Sequence, residues 1–566
     1  TFLMGRSLIL GNQLHAGIDA LSRLLDHPDA PALEINSLLV QAQLDRPTPD
    51  LGAAFRHNDY ILNSDAASAR RRRQAQFRQI EILLALDRID AARATLDRLE
   101  ASLQRLPRVQ VLLGRIEFAQ AARQSDETRR NEGLQSAIAR LRAAQQAIPA
   151  GDPLARQAMY WIGRALQEQN QLEAANAQFD MLRGQYVDTG EGIAASLQRA
   201  NHELAARRFD DALLMYRQLL ESAGDPRTYV NPLLPLAELR KEIRKAYQRF
   251  LTDQRFTEAL ELVNYLHPIY RQDERVELRA KVHQAWGAWR LDRAQLEGRF
   301  QGAKTRREAR LRFRTAARDF EMLARIRYAT RSYTTDLWHA AEAYFTGQSY
   351  SNAARVFREF LHHEARRQNS LALLRMGQSR LAAGDPAAAH ETLLECIESY
   401  PRDAVVYTAR IEAARAARQL GRPDEAEQLL KTNLTGDELN PRSPEWRDSL
   451  FELGQMLYEA SGYDEGIRTL LEAVDLYPSA EQSLLAQYTI ARSHHSIADE
   501  LAEPVLQTKT ELERRKKHQL ASESLENALQ AYQTVQRMIT LHGDSDSDPL
   551  QHTVLRNCYM MQGSVL

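Results

Sequence analysis

Residues 446–478 read WRDSLFELGQMLYEASGYDEGIRTLLEAVDLYP, and their spacing decides the fold. Leu453-Gly454 is followed by Leu457. A break at Ser461-Gly462 then leads into Tyr463, Gly466, Leu470 and Ala473, and Pro478 closes the unit. Apolar residues three and four apart give each half one buried helical stripe. Gly454 has no side chain at the point where the second helix must cross the first. The stretch therefore predicts two antiparallel helices packed closely on each other, with left-handed backbone at the turn between them.

The same arrangement recurs in both directions. One copy runs Met376-Gly377, Gly384, Ala389, Leu393, Cys396 and Pro401; another runs Ile162-Gly163, Leu166, Asn170, Leu172, Ala175, Phe179 and Leu182. A further copy holds Ala341, Tyr344, Tyr350, Ala353, Phe357 and Phe360. Weaker copies pass through Ile89–Ala92–Leu96, Ala137–Leu141–Ala144, Phe209–Ala212–Tyr216, Phe256–Ala259–Val263 and Pro423–Ala426–Leu430. Glycine or asparagine at Asn170, Gly384, Gly421 and Gly462 is expected to supply the left-handed turn residue. At the start, Leu3-Met4-Gly5 holds the crossing and Leu14, Gly17, Leu21 and Leu24 form the second helix. At the end, Tyr559, Gly563 and Leu566 read as the first half of another unit. That is the pattern expected of a segment cut from a longer protein.

A period near 34 residues, with small residues at the crossing and a closing proline, resembles the tetratricopeptide repeat family over nearly the whole chain. The resemblance implies an all-α, right-handed α-α superhelix, a solenoid of about a dozen helix-turn-helix repeats. No unit buries its apolar face alone, so neighbours must stack. The expected divisions are a repeat array over 1–274, enlarged helices over 275–333, the best-matching repeats over 334–480, and an enlarged pair with the start of a further repeat over 481–566. The polar stretch between Ala122 and Leu134 is expected to lengthen a loop or a helix end. Over-long helices should project beyond the stack and could hold a private contact.

Composition narrows the function. The chain has 74 basic and 75 acidic residues among 566, a formal net charge of −1, which argues against a dedicated nucleic-acid binder. Eight of the basic residues are lysine and the rest arginine, a bias of the kind GC-rich bacterial genomes produce. Two distant cysteines, Cys396 and Cys558, offer neither a disulfide framework nor a zinc spacing. No apolar run reaches the roughly 18 residues of a membrane span. His362-His363-Glu364 and His494-His495 place neighbours about 100° apart on a helix, which suits no chelating pair. Asp544, Asp546 and Asp548 begin like a calcium loop, but Pro549 stands where that loop needs glycine, and no glutamate closes it. Basic clusters at Arg70–Arg73, Lys304–Arg314 and Arg514–Lys517 read as solvated helix faces. No phosphate loop, nucleophile elbow or catalytic constellation is present. The expectation is a non-enzyme that needs neither cofactor nor metal.

In tetratricopeptide arrays partner peptides usually lie along the first helices of the repeats. By that resemblance the protein-binding groove of this chain is Gln157, Tyr160, Arg164 and Gln167; Trp338, Glu342 and Phe345; Leu374 and Gln378; and Phe451, Gln455 and Tyr458. Tyr160 and Phe451 fit either an exposed anchor or packing between helices, and Trp338 fits packing better. A carboxylate clamp of the chaperone-binding type is not expected, because most first helices lack the lysines it needs. The expected function is a protein-protein interaction scaffold, with other proteins or copies of itself as partners. The alternatives are a structural subunit of a large assembly and a regulatory region attached to a catalytic domain. Tyr-Pro junctions at Tyr400-Pro401 and Tyr477-Pro478 resemble those of bacterial envelope repeat proteins in outer-membrane assembly and Tol–Pal-associated families. They imply the periplasm, with the cytoplasm as the alternative.

Overall fold

A computed structural model describes residues 2–149, 151–363, 368–436, 439–502, 510–541 and 549–565. Among them lie 28 helices and no strand. In chain order these are α1 (Phe2–Leu10), α2 (Leu14–Leu24), α3 (Ala32–Leu44), α4 (Leu51–Asn63), α5 (Ala69–Ala85), α6 (Ile89–Asp97), the single turn α7 (Ala101–Gln104), α8 (Pro107–Ala122), α9 (Glu127–Gln146) and α10 (Pro153–Glu168). There follow α11 (Leu172–Gln185), α12 (Gly190–Ala205), α13 (Phe209–Ala223), α14 (Leu236–Thr252), α15 (Phe256–Tyr265), α16 (Gln272–Leu296), α17 (Arg299–Ile326), α18 (Tyr333–Thr346) and α19 (Tyr350–His363). The last are α20 (Asn369–Ala382), α21 (Pro386–Ser399), α22 (Val405–Gln419), α23 (Pro423–Thr435), α24 (Pro444–Glu459), α25 (Tyr463–Leu476), α26 (Ser483–Ala502), α27 (Glu511–Leu541) and α28 (Pro549–Val565). The chain forms two compact units, Thr1–Val282 and His283–Leu566, with the boundary inside α16. Each is a solenoid of helix hairpins.

The crossing glycines explain how the hairpins close. A Cβ at Gly163 would stand 2.6 Å from Phe179, and one at Gly377 would stand 2.5 Å from Leu393. Gly454 meets Leu470 more closely still, and Gly5 meets Leu21 at 2.6 Å. In all four hairpins the partner lies sixteen residues downstream. In two longer hairpins the same contact is kept at greater separation, Gly114 with Leu141 at 2.7 Å and Gly287 with Phe313 at 2.9 Å. The extra residues of those hairpins are in helices. The polar stretch after Ala122 became the beginning of α9, capped by Asp126 accepting from the Arg129 amide. The enlarged pair α16 and α17 runs to 25 and 28 residues, and α27 to 31.

The turns follow one design. In nine hairpins the residue two places before the second helix has positive φ: Asn12, Asp87, Asn170, Arg207, Gln254, Gln348, Gly384, Gly421 and Ser461. The next residue's amide then reaches back five residues to a carbonyl of the first helix, as Gln171 does to Leu166 and Arg255 does to Phe250. Gly462 was expected to be the left-handed residue and is not. Its φ is −81°, it sits at the entrance of α25, and Ser461 takes the strained position at +61°.

Candidate functional site

The first helices of successive hairpins lie side by side within each unit, so residues about 34 apart in sequence meet across them. In the second unit this builds a ladder of polar contacts. Arg375 of α20 reaches back to Glu342 of α18 at 3.4 Å and lies over the Phe345 ring at 4.8 Å. Gln378 donates to Glu412 of α22 at 3.2 Å. Arg415 pairs with Glu412 and, one helix on, with Glu452 of α24, both at 3.2 Å. Thr489 of α26 donates to Gln455 at 2.9 Å, and Arg492 covers the Tyr458 ring at 5.4 Å. Burial pushes the Glu342 carboxyl above its usual range, against the pull of Arg375.

Against this frame the twelve groove residues divide. Tyr160, Leu374 and Phe451 are buried, at 3%, 5% and 6% exposure. Tyr160 stands edge-on to Trp161 and tilts against Phe179, and Phe451 tilts against Tyr477. For these three the geometry is that of packing between helices, because a large apolar side chain at that position is covered by its neighbours. They offer no exposed anchor. Trp338 is half-buried against Phe357 and Phe360. Gln157, Arg164, Gln167, Glu342, Phe345, Gln378, Gln455 and Tyr458 remain partly exposed. Glu342, Phe345, Gln378, Gln455 and Tyr458 already hold ladder partners.

The residues weighed for chemistry are scattered. Rings of His362 and His363 meet edge to face, and His363 also faces Tyr333; Glu364 lies outside the described residues. His494 is half-buried, which holds its imidazole below the ordinary value, and His495 stands against Tyr532. Among the described residues no three His, Cys, Asp or Glu side chains converge as metal ligands would. The Asp544–Asp548 run lies outside them. Cys396 and Cys558 are buried thiols pushed up to about 11 by that burial. Of the basic clusters, Arg71 pairs with Glu34, Arg312 lies over Trp286, and Arg514 and Arg515 pair with Glu511. No described helix is long and apolar enough to cross a membrane.

A further basic feature lies outside these clusters. Along α14, Arg240, Lys241, Arg244, Lys245 and Arg249 line an open groove of about 640 Å³, closed on its other side by Tyr270 and Glu274. Its signal was present in the sequence: five cations at helical spacing, two of them among only eight lysines.

Models of the tetratricopeptide repeat family match residues 374–441 and 411–481, and a second such model matches 157–189. The chain carries tetratricopeptide repeats over these residues. These matches fall on the units whose crossing glycines are Gly163, Gly377 and Gly454. No curated protein matches the sequence. Three solved structures show a likeness. A MamA protein is 16% identical, with 36% of this chain and 93% of that one covered at a TM-score of 0.26. The nearly identical repeats of a kinesin light chain from Podosopora anserina are 17% identical, with 36% and 98% covered at 0.27. An anaphase-promoting-complex hetero-tetramer, Cut9-Hcn1, is 14% identical, with 98% and 95% covered at 0.30. Likenesses of this size say nothing of what this chain binds.

Proposed function

We propose that the chain is a non-catalytic scaffold that gathers other protein chains on the first helices of its repeats. The observation that supports this most is the ladder itself. Glu342, Phe345, Gln378, Gln455 and Tyr458 lie partly exposed in rows, each helix presenting the same positions as the one before. Such a surface recognises an extended chain through many small contacts, and the half-buried rings of Phe345 and Tyr458 supply apolar anchors within a polar rim. A photo-cross-linking amino acid placed at Gln157, Phe345 and Gln455 in the source cell tests it. Adducts to defined proteins are expected there, and far fewer from Glu398 and Asp475 on the second helices. Equal adducts from all five positions would sink the reading. Adducts to a second copy of the same chain, with light scattering above the monomer mass of 64.5 kDa, would favour a subunit of a large assembly instead.

A further inference from the structure

We infer that the groove along α14 takes an extended acidic segment of a partner protein, bound through its side-chain carboxylates. The inference rests on the scaffold reading and gives it a place and a chemistry.

Helix α14 reads LAELRKEIRKAYQRFLT. Its apolar residues Leu239, Ile243, Ala246, Tyr247 and Phe250 are buried. The opposite stripe, Ala237, Lys241, Arg244, Lys245, Gln248 and Thr252, is exposed. Five cations and two acids share these seventeen residues, in a chain whose formal net charge is −1. The stripe from Ala237 to Thr252 is about 22 Å long at 1.5 Å per residue. That length accommodates about six or seven residues of extended chain.

The cations are held in place yet available. Tyr270 donates its hydroxyl to the Arg240 carbonyl at 2.6 Å, and Arg240 donates to the Ile269 carbonyl at 3.1 and 2.5 Å. This fixes the floor, with the Arg240 guanidinium 5.5 Å from the Tyr270 ring centre. Lys241 and Lys245 pair only with Glu238 and Glu242 on their own helix, at 3.1 and 2.5 Å. Arg249 pairs with Asp253 at 2.6 Å. The Lys241–Glu238 pair is exposed on both sides and of a kind worth at most about 1 kcal/mol, while Lys245 and Arg249 keep exposed cations beside the more buried Glu242 and Asp253. Arg244 has no carboxylate within ion-pair distance among the described residues; it lies near the hydroxyls of Tyr247 and Tyr270. The contrast with the second unit is direct: Arg375 and Arg415 are already paired across helices, whereas Arg244 faces the groove.

An acidic peptide fits better than nucleic acid. The basic stripe is one helix long, and the balanced net charge supplies no wider field for a polyanion. The floor is Ala237, Tyr270 and the aliphatic stems of the cations, which suits apolar residues between carboxylates.

The full chain is titrated against a fluorescein-labelled octapeptide of alternating Glu and Leu, acetylated and amidated, by fluorescence anisotropy. The Gln-Leu analogue and a single-stranded oligothymidine serve as comparisons. Binding of the Glu peptide is expected to exceed that of the Gln peptide, to weaken with salt, and to fall at least about tenfold in Arg244→Glu/Lys245→Glu. Arg70→Glu/Arg73→Glu changes the net charge equally and should leave binding intact. If the first variant loses helix content, Arg244→Gln/Lys245→Gln is read in its place. Equal binding of the two peptides, equal loss in both reversals, or tighter binding of the oligothymidine overturns the inference. Failure here with partners still cross-linked at Gln157 or Gln455 would remove the groove alone; failure of both would remove the scaffold as well.

Discussion

At Gly454 the fold depends on the absence of one carbon atom. A Cβ there would overlap Leu470 of the facing helix, and Leu470 is wholly buried and cannot swing aside. Gly454→Ala is therefore expected to cost about 1–3 kcal/mol, despite alanine's better helix propensity. Gly184, near the end of α11, has nothing within 4 Å of its would-be Cβ, so Gly184→Ala should be neutral or stabilise by up to about 1 kcal/mol. Urea midpoints of the two variants check the pair, and a stable Gly454→Ala would refute the register. His202 makes a second local case. Burial first, then Arg199 and Arg164 against the pull of Glu203, holds its imidazole below 6.5. Its ring nitrogen meets Asn176 at 2.5 Å. Because the folded value is the depressed one, the unfolded chain takes up the proton first as pH falls through 6.5. Stability from this group is full above that pH and is lost below it, towards the folded value. His202→Gln should flatten the dependence of the urea midpoint between pH 7.5 and 5.5, and an unchanged slope would contradict the assignment.

The helical hairpin is defined by its turn as much as by its stripe. Seven of the nine residues at positive φ are not glycine, and each accepts a left-handed backbone that costs an L-residue roughly 1–2 kcal/mol. They tolerate it because the amide that follows satisfies a carbonyl of the first helix. Gln254 is exposed between α14 and α15 and makes no side-chain bond that would be lost. Gln254→Gly should raise stability by about 0.5–1 kcal/mol, read as a rise in melting temperature. A fall would show that the turn is held by something other than its backbone. The Gly462 expectation failed at this level for a plain reason: glycine marks the neighbourhood of a turn, while hydrogen-bond register decides which residue bears the strain. In the enlarged hairpins the buried helical stripe continues through Ala316, Phe320 and Leu323 of α17 and Ala528, Tyr532 and Val535 of α27.

Taken whole, the chain is held together mostly by contacts between neighbouring hairpins, so its stability should be local and only partly cooperative. Trp161 is the single tryptophan of the first unit, and Trp286, Trp289, Trp338 and Trp446 belong to the second. In Trp161→Phe the fluorescence reports the second unit only, while far-UV circular dichroism reports both. The two urea transitions are expected not to coincide, and the summed slope should fall below that of one 566-residue two-state unit. Coincident curves would mean that the units unfold as one.

Local pattern sufficed for the helix pairs, for their crossing points and for the absence of a long apolar span, since all of these follow from side-chain size and period within some 34 residues. It did not suffice for the surface. Whether Tyr160 and Phe451 face solvent or a neighbour depends on how closely the next helix approaches, and that distance is set by residues a repeat away. The same holds for charge. Arg375 and Arg244 look alike in the sequence, but stacking brings Glu342 to the first and leaves the second facing an open groove.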